Sequence, residues 1–279
     1  LGFFGKTAIA KNIAPTEFLA FRYLLAAVLM AAMVFIRDRR IAVLWPSFRS
    51  VSVSLILGVA GYAVFSSFYF LALERISASM TVILLYTYPV LVAAGGALFF
   101  RERMPLSRLP ALPMAFAGLT CLVWVDMQVG QSVGLAFGLL AALFYSVYIL
   151  LSSHYVKNED PMVSTFWIQI GAGMTLFAIS FSSVDRSLEV LRLAWLEIFL
   201  IALICSALAM WLFLSGLRRV QNWEAALLSM AEPITGVLIG VMILGEKMTT
   251  LQSAGALLVL AALALVSLPK RFTLRRGNV

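Results

Sequence analysis

The sequence predicts an all-α integral membrane protein with ten transmembrane helices, arranged as two inverted five-helix repeats. Of its 279 residues, 62% are apolar and 12% are charged, which is about half the charged fraction of a soluble domain. A soluble domain must keep its own surface wetted, and this composition cannot do so. Uncharged apolar runs also recur along the chain, and two distant segments share a motif. These three observations favour a membrane protein over every soluble class.

Each predicted helix corresponds to an apolar run, because a helix needs about 20 apolar residues to cross a bilayer. The runs without Asp, Glu, Lys or Arg that reach this length are 50–73, 76–100, 127–156, 161–184, 198–217 and 248–269. A shorter run spans 109–125, and the apolar segments 16–36 and 223–245 contain Arg22 and Glu232. We therefore predict helices near 1–10, 16–36, 50–73, 77–100, 107–125, 134–156, 162–183, 195–217, 223–245 and 250–268. Residues 1–10 are too few to cross the bilayer, so we expect the first helix to begin upstream of Leu1.

The basic residues predict the orientation of these helices. If the basic tail at 269–279 is cytoplasmic, ten crossings place fourteen Lys and Arg residues on the cytoplasmic side and five outside. The positive-inside rule predicts this asymmetry, so both termini should be cytoplasmic in a multi-pass protein of a bacterial inner membrane. The net charge of +8 thus has a topological explanation. Nucleic-acid binding would need a basic face with polar or aromatic readers, so no nucleic-acid partner is expected.

The chain contains an internal repeat. Segment 69–104 aligns with 213–248 at an offset of 144 residues, which pairs Pro89 with Pro233 and Glu102 with Glu246. Upstream, a Lys-Asn-x-x-Pro motif that ends at Pro15 recurs 146 residues later. The two halves are therefore predicted to be 1–125 and 134–268. Five crossings per half is an odd number, so the second half must be inverted, an arrangement typical of secondary transporters.

Two segments resemble a known family. Leu85-Tyr-Thr-Tyr-Pro-Val-Leu with Phe-Arg-Glu-Arg-Met104, and Met230-Ala-Glu-Pro-Ile with Leu-Gly-Glu-Lys-Met248, resemble the paired EamA-type signatures of the drug/metabolite transporter superfamily. The arginine in Ala20-Phe-Arg22-Tyr is similar to one common in the second helix of that superfamily. The resemblance implies a ten-helix carrier that moves small metabolites by alternating access. It is greatest to YddG-type amino-acid exporters. Nucleotide-sugar carriers, multidrug carriers, a channel and a membrane scaffold are the alternatives.

Glu232 is the first candidate site residue. It stands about nine residues into its predicted helix, which is roughly 14 Å from the cytoplasmic end. A carboxylate near the middle of a bilayer usually faces a cavity or a partner. Pro233 beside it lacks an N–H and frees carbonyl groups that could line an aqueous site, and Pro89 has the same role in the first half. The alternative is a structural glutamate that bonds to a neighbouring helix.

Further candidates for contact with the substrate are aromatic. Buried phenol and indole groups need a hydrogen-bond partner, which a wet cavity supplies, although packing is the alternative for each. Arg22 could neutralise a substrate carboxylate, pair with Glu232, or snorkel outward. We predict a substrate site between the third and fourth helices of the first half and the eighth and ninth helices of the second half. The aromatic candidates are Tyr62, Tyr86, Tyr88, Trp167 and Trp211.

The sequence predicts neither an enzyme nor a metal or cofactor site. An intramembrane enzyme needs a nucleophile with its base, paired aspartates or a histidine-rich metal set. The chain has one His, and Cys121 and Cys205 both lie within apolar helices. The expected partners are a small-molecule substrate and the lipid bilayer, and the expected assembly is a monomer or a weak homodimer.

Overall fold

The computed structural model describes residues 13–102, 104–123, 132–181, 184–235 and 249–267. Within these ranges the regular structure is entirely helical. The helices are α1 (Pro15–Asp38), α2 (Phe48–Leu73), α3 (Ala78–Leu85), α4 (Tyr88–Phe99), α5 (Ala111–Val123), α6 (Ser132–Tyr155), α7 (Pro161–Ser180), α8 (184–217), α9 (Asn222–Leu228) and α10 (Thr250–Ser267). Residues 231–235 are also helical. The predicted first helix, the place where it begins, and the tail at 269–279 lie outside the described residues.

Seven of the described helical segments are long and apolar enough to cross a membrane. They correspond to α1, α2, the α3–α4 pair, α6, α7, α8 and α10, and a shorter apolar segment covers Leu106–Leu122. The prediction of an all-helical membrane protein is therefore confirmed. We call the end of the bundle that carries Glu102 and Asp160 the inner end, because the charge pattern predicts that it is cytoplasmic.

Two predicted helices are broken where the sequence suggested continuity. The helix predicted at 77–100 is interrupted at Tyr86 and Thr87, and the helix predicted at 223–245 is interrupted at Ser229 and Met230. Each break comes just before a proline, Pro89 in one case and Pro233 in the other. A proline has no N–H to donate to the carbonyl four residues earlier, and its ring clashes with that carbonyl. In the preceding turn the backbone bonds therefore tighten from four-residue to three-residue spacing, from Thr87 to Leu84 in one case and from Met230 to Leu227 in the other.

Residues 184–194, predicted to be a loop, are instead helical, so the start expected at 195 was wrong. α8 begins at Val184, and Ala194 (φ −133°, ψ 23°) forms a kink ahead of the apolar part of the helix. The charges between Arg186 and Glu197 hid this segment, because a search for uncharged apolar runs excludes an amphipathic helix. Val190 and Ala194 are buried in a small cluster with Phe18 of α1.

α2 and α8 each contain a π-helical segment. These segments are Leu57–Ala63 in α2 and Ile201–Leu208 in α8, and their first residues are 144 positions apart, the offset of the sequence repeat. In a π-helix the bonds run from i to i+5, and short π segments occur frequently at functional sites. Neither segment was predicted.

Close backbone contact between α2 and α7 rests on glycine. A Cβ added at Gly171 of α7 would lie 2.6 Å from the carbonyl oxygen of Leu55, and one added at Gly58 would meet the carbonyl oxygen of Ile168. Small residues permit such contact between helices that have no hydrophobic driving force to associate within lipid. The contact fixes the π segment of α2 against the middle of α7.

Candidate functional site

A carboxylate and a phenol meet at the two helix breaks. Tyr86 follows the last residue of α3, and Glu232 lies just beyond the break after α9. The Tyr86 hydroxyl donates a hydrogen bond of 3.2 Å to Oε2 of Glu232. Tyr86 is buried, whereas Glu232 remains exposed. The carboxylate therefore keeps an open side at which a cation or a proton could reach it.

From this pair a continuous row of tyrosine rings crosses the molecule, and we call it the tyrosine row. Successive ring centroids are 5.3, 5.2, 6.1, 4.8 and 5.7 Å apart, within the usual range for interacting aromatic side chains. Its members, in order of contact, are Tyr23, Tyr62, Tyr148, Tyr145, Tyr88 and Tyr86. Three predicted residues, Tyr62, Tyr86 and Tyr88, are thus brought together.

The hydroxyl groups of this row are not all used by the fold. Tyr88 donates to the carbonyl oxygen of Ala226 at 3.1 Å, and Tyr23 shares a hydrogen bond with Ser66. The Tyr148 hydroxyl is buried and makes no hydrogen bond of normal geometry among the described residues, although the equally buried Ser152 hydroxyl lies near it, one turn along α6. A buried polar atom of this kind calls for an explanation, and a polar ligand or water within the row would provide one.

Arg22 lies at the other end of the row. Its Cζ is 4.8 Å from the centroid of the Tyr23 ring, and its Nε donates to Oγ of Ser206 at 2.6 Å. The side chain is only 1% exposed, so it does not snorkel. No carboxylate of the described residues lies within 4.0 Å of its guanidinium, so the predicted ion pair with Glu232 is not formed in this conformation.

Gln169 of α7 completes the polar group around Arg22. Its Nε2 donates to the carbonyl oxygen of Ser206 at 3.2 Å, so that Gln169 and Arg22 share one residue of the α8 π segment. Gln169 is fully buried, and its Oε1 has no partner within the described part of the chain. A buried cation and an unused acceptor therefore belong to two residues that are both bonded to Ser206.

The structure does not bring Trp167 and Trp211 to the Tyr86–Glu232 pair. The Trp167 indole donates to the carbonyl oxygen of Leu44 at 2.6 Å, and its ring lies 4.6 Å from that of Trp45. Trp211 packs against the same cluster. Both side chains thus belong to a hydrophobic group next to the loop at 39–47, and the indole N–H of Trp167 is satisfied there without a ligand.

The inner ends of α4 and α9 are joined by polar contacts. Glu102 accepts hydrogen bonds from the backbone N–H of Asn222 (3.2 Å) and from its Nδ2 (3.0 Å). Nearby, Arg108 and Glu224 form an ion pair of 3.1 Å. Burial raises the pKa of Glu102 above its ordinary value. We call these contacts the inner junction. The repeat partner Glu246 lies outside the described residues.

Sequence reasoning missed several of these residues. The spacing of Tyr145 and Tyr148, three residues apart on one helix face, could have indicated that both rings lie on the same side of α6. The repeat offset aligns Tyr62 with Ser206, but nothing marked a serine as the partner of an arginine. No sequence motif marked Gln169 as a candidate. Among the described residues, no group of three His, Cys, Asp or Glu is arranged to hold a metal ion.

Comparison with known proteins agrees with this architecture. An uncharacterized transporter of Archaeoglobus fulgidus is 28% identical over 207 residues, which cover 72% of this chain and 73% of the relative. The uncharacterized inner membrane transporter YicL of Salmonella typhimurium is 24% identical over 253 residues (90% and 84%). A solved crystal structure shares the fold with a TM-score of 0.72 at 18% identity, covering 95% of each chain. The model of the EamA-like transporter family matches residues 1–124 and 132–268, and the chain therefore belongs to the EamA-like transporter family.

Proposed function

We propose that this protein is a secondary transporter that exports small metabolites across the inner membrane by alternating access. Amino acids or related compounds are the first candidates for its substrate. The observation that carries the proposal is the hydrogen bond between Tyr86 and Glu232 at two helix breaks. An ionisable residue within a transmembrane segment usually marks a substrate or proton pathway, and carriers commonly build their sites from discontinuous helices.

The two halves of the carrier are 1–125 and 134–268, with the second inverted relative to the first. Three pairs of features support this repeat. The π segments, the helix breaks and the two stretches matched by the family model each occur once in either half. Alternating access then requires each half to have a movable element next to the shared site, which the breaks and π segments supply.

Opening toward the inner side would separate α4 from α9. The inner junction holds these helices together through Glu102 and Asn222, and Tyr88 adds a bond to Ala226. Glu232 lies above this junction with an open side. We infer that Glu232 supplies the directional interaction, either by binding a substrate amine or by carrying a proton, while the tyrosine row supplies broad apolar contact. The name of the Salmonella relative supports the inner membrane as the location.

Counterflow in proteoliposomes tests this function. Purified protein would be loaded with unlabelled compound, and uptake of the labelled compound would be followed against its gradient, with L-amino acids, organic cations, purines and nucleotide sugars in the panel. A carrier accumulates label transiently, because one alternating site exchanges the two pools. A channel equilibrates the label without this overshoot, and a scaffold transports nothing. Absence of counterflow for every class would refute the proposal.

A further inference from the structure

We propose that Arg22 and Gln169 form the binding site for the headgroup of an α-amino acid, with the carboxylate on Arg22 and the ammonium on Gln169. This inference rests on the proposed transport function and names its substrate class. It places the recognition of the headgroup at the end of the tyrosine row opposite to Glu232, on residues of α1 and α7.

Arg22 has unused hydrogen-bonding capacity. A guanidinium has five N–H donors, and the bond from Nε to Ser206 uses one of them. Arg22 is 1% exposed and lacks a carboxylate partner among the described residues. An arginine buried in this way is costly unless an anion compensates its charge at some stage. Its planar, two-pronged donor face matches a carboxylate.

Gln169, which is bonded to the same serine as Arg22, offers an unused acceptor. Oε1 of Gln169 is buried without a partner in the described part of the chain, while Nε2 of the same amide is already held by the Ser206 carbonyl. That bond orients the amide so that its oxygen is free to accept. A simple anion would satisfy Arg22 and leave this oxygen unpaired. An ammonium group next to a carboxylate would satisfy both.

The surroundings of Arg22 and Gln169 include a segment that could move. Ser206, which holds both Arg22 and Gln169, belongs to the π segment of α8, and its hydroxyl also approaches the carbonyl oxygen of Ile201. A π segment can change its hydrogen-bond pattern locally and is frequent at functional sites. The headgroup site is closed in this conformation, and movement of this segment would open it. The tyrosine row then receives the side chain of the substrate, starting at Tyr23.

The test compares amino acids with analogues that lack one charge. Wild-type protein in proteoliposomes would exchange L-phenylalanine, L-leucine and L-threonine by counterflow, and each would compete with its amide and with its N-acetyl derivative. The amide lacks the carboxylate, and the N-acetyl compound lacks the ammonium. Wild type should prefer the parent amino acid over either derivative by about tenfold or more, because each loses a charge-assisted hydrogen bond.

Two substitutions should separate the two contacts. Arg22→Gln should lose the preference over the amide but keep the preference over the N-acetyl derivative, and Gln169→Met should do the reverse. Arg192→Gln, which removes an exposed charge from α8, is the control and should keep both preferences. If Arg22→Gln fails to fold, the test uses Gln169→Met together with Arg22→Lys. Arg22→Lys should retain part of the preference over the amide.

Several outcomes overturn the proposal. Wild type could fail to distinguish the amide from the amino acid, or Arg22→Gln could keep the wild-type preference. Exchange of another substrate class without any exchange of amino acids would also overturn the headgroup site, while the proposed transport function would stand. If no class of compound is exchanged, the proposed function itself fails, and the headgroup site fails with it.

Discussion

Replacement of Gly171 by alanine should destabilise the contact between α2 and α7. The added Cβ would lie 2.6 Å from the carbonyl oxygen of Leu55, whereas carbon and oxygen atoms in close contact are about 3.3 Å apart. The two helices must therefore separate by about 0.7 Å, or the backbone of α2 must bend. Because the obstacle is backbone and not a flexible side chain, little local adjustment is available.

The expected cost of this change is about 1–3 kcal/mol, which is typical of overpacking. For a chain of this size it corresponds to a fall in melting temperature of about 2–4 °C for each kcal/mol. Gly171 also lies two residues after Gln169, so the shift of α7 should weaken substrate exchange as well. The assay is thermal unfolding of the purified protein in detergent, followed by counterflow.

Gly216→Ala is the matched control for this prediction. Apart from its chain neighbours and the backbone of its own helix, no atom lies within 4 Å of a Cβ added at Gly216. The same added methyl group therefore meets open space, and alanine favours a helix over glycine. This variant should melt at the wild-type temperature or slightly above it. If Gly171→Ala and Gly216→Ala melt together, the close contact between α2 and α7 is not as described.

Three further predictions concern the inner part of the molecule. Trp167→Phe should lower the free energy of unfolding by about 1 kcal/mol, because the carbonyl group of Leu44 loses its hydrogen-bond donor. Substrate preference should stay unchanged, and an altered preference would show that Trp167 contacts the substrate. Because burial raises the pKa of Glu102 above 4.5, the folded protein holds this proton more tightly than the unfolded chain. Stability should therefore fall as the pH rises from 4.5 through the raised pKa, and Glu102→Gln should flatten that part of a melting-temperature profile; an unchanged profile would contradict the assignment. Glu224→Gln should destabilise the protein by about 1–3 kcal/mol in thermal unfolding, because the partly buried Arg108 loses its carboxylate; a wild-type melting temperature would show that this ion pair contributes nothing.

The membrane-spanning segments could be predicted because bilayer thickness imposes one length on all of them. The interruptions within them could not be placed from an apolar run. Pro89 and Pro233 indicated that two helices were perturbed, but the loss of regular structure falls in the turn before each proline. The π segments had no signal in composition. The segment in α2 packs against α6 and α7, whereas the segment in α8 packs mainly against α1. The helix that begins at Val184 was missed because its charges conceal its apolar face.

The sequence predicted a depth for the candidate site residues but not the direction of their side chains. Position along a helix indicated that Glu232, Tyr86 and Trp167 all lie within the membrane. It did not indicate which way each side chain points, since that is decided by helix rotation and tertiary packing. Trp167 consequently faces the loop that contains Leu44, while Tyr86 faces Glu232. Arg22 had three open interpretations, and its bond to Ser206 removes the snorkelling one.

The proposed transport function depends most on Glu232, which is bonded to Tyr86. The most direct test measures exchange and net transport of the same amino acid in proteoliposomes, with and without a proton gradient, for wild type and Glu232→Gln. Glu74→Gln, which alters an exposed carboxylate outside the helices, serves as the control and should behave as wild type.

With the substrate headgroup on Arg22 and Gln169, Glu232→Gln is expected to keep exchange but to lose the dependence of net transport on the proton gradient. Loss of both exchange and net transport would instead mean that Glu232 binds the substrate amine. Normal net transport with a normal dependence on pH would refute a functional role for Glu232, which would then be a structural residue.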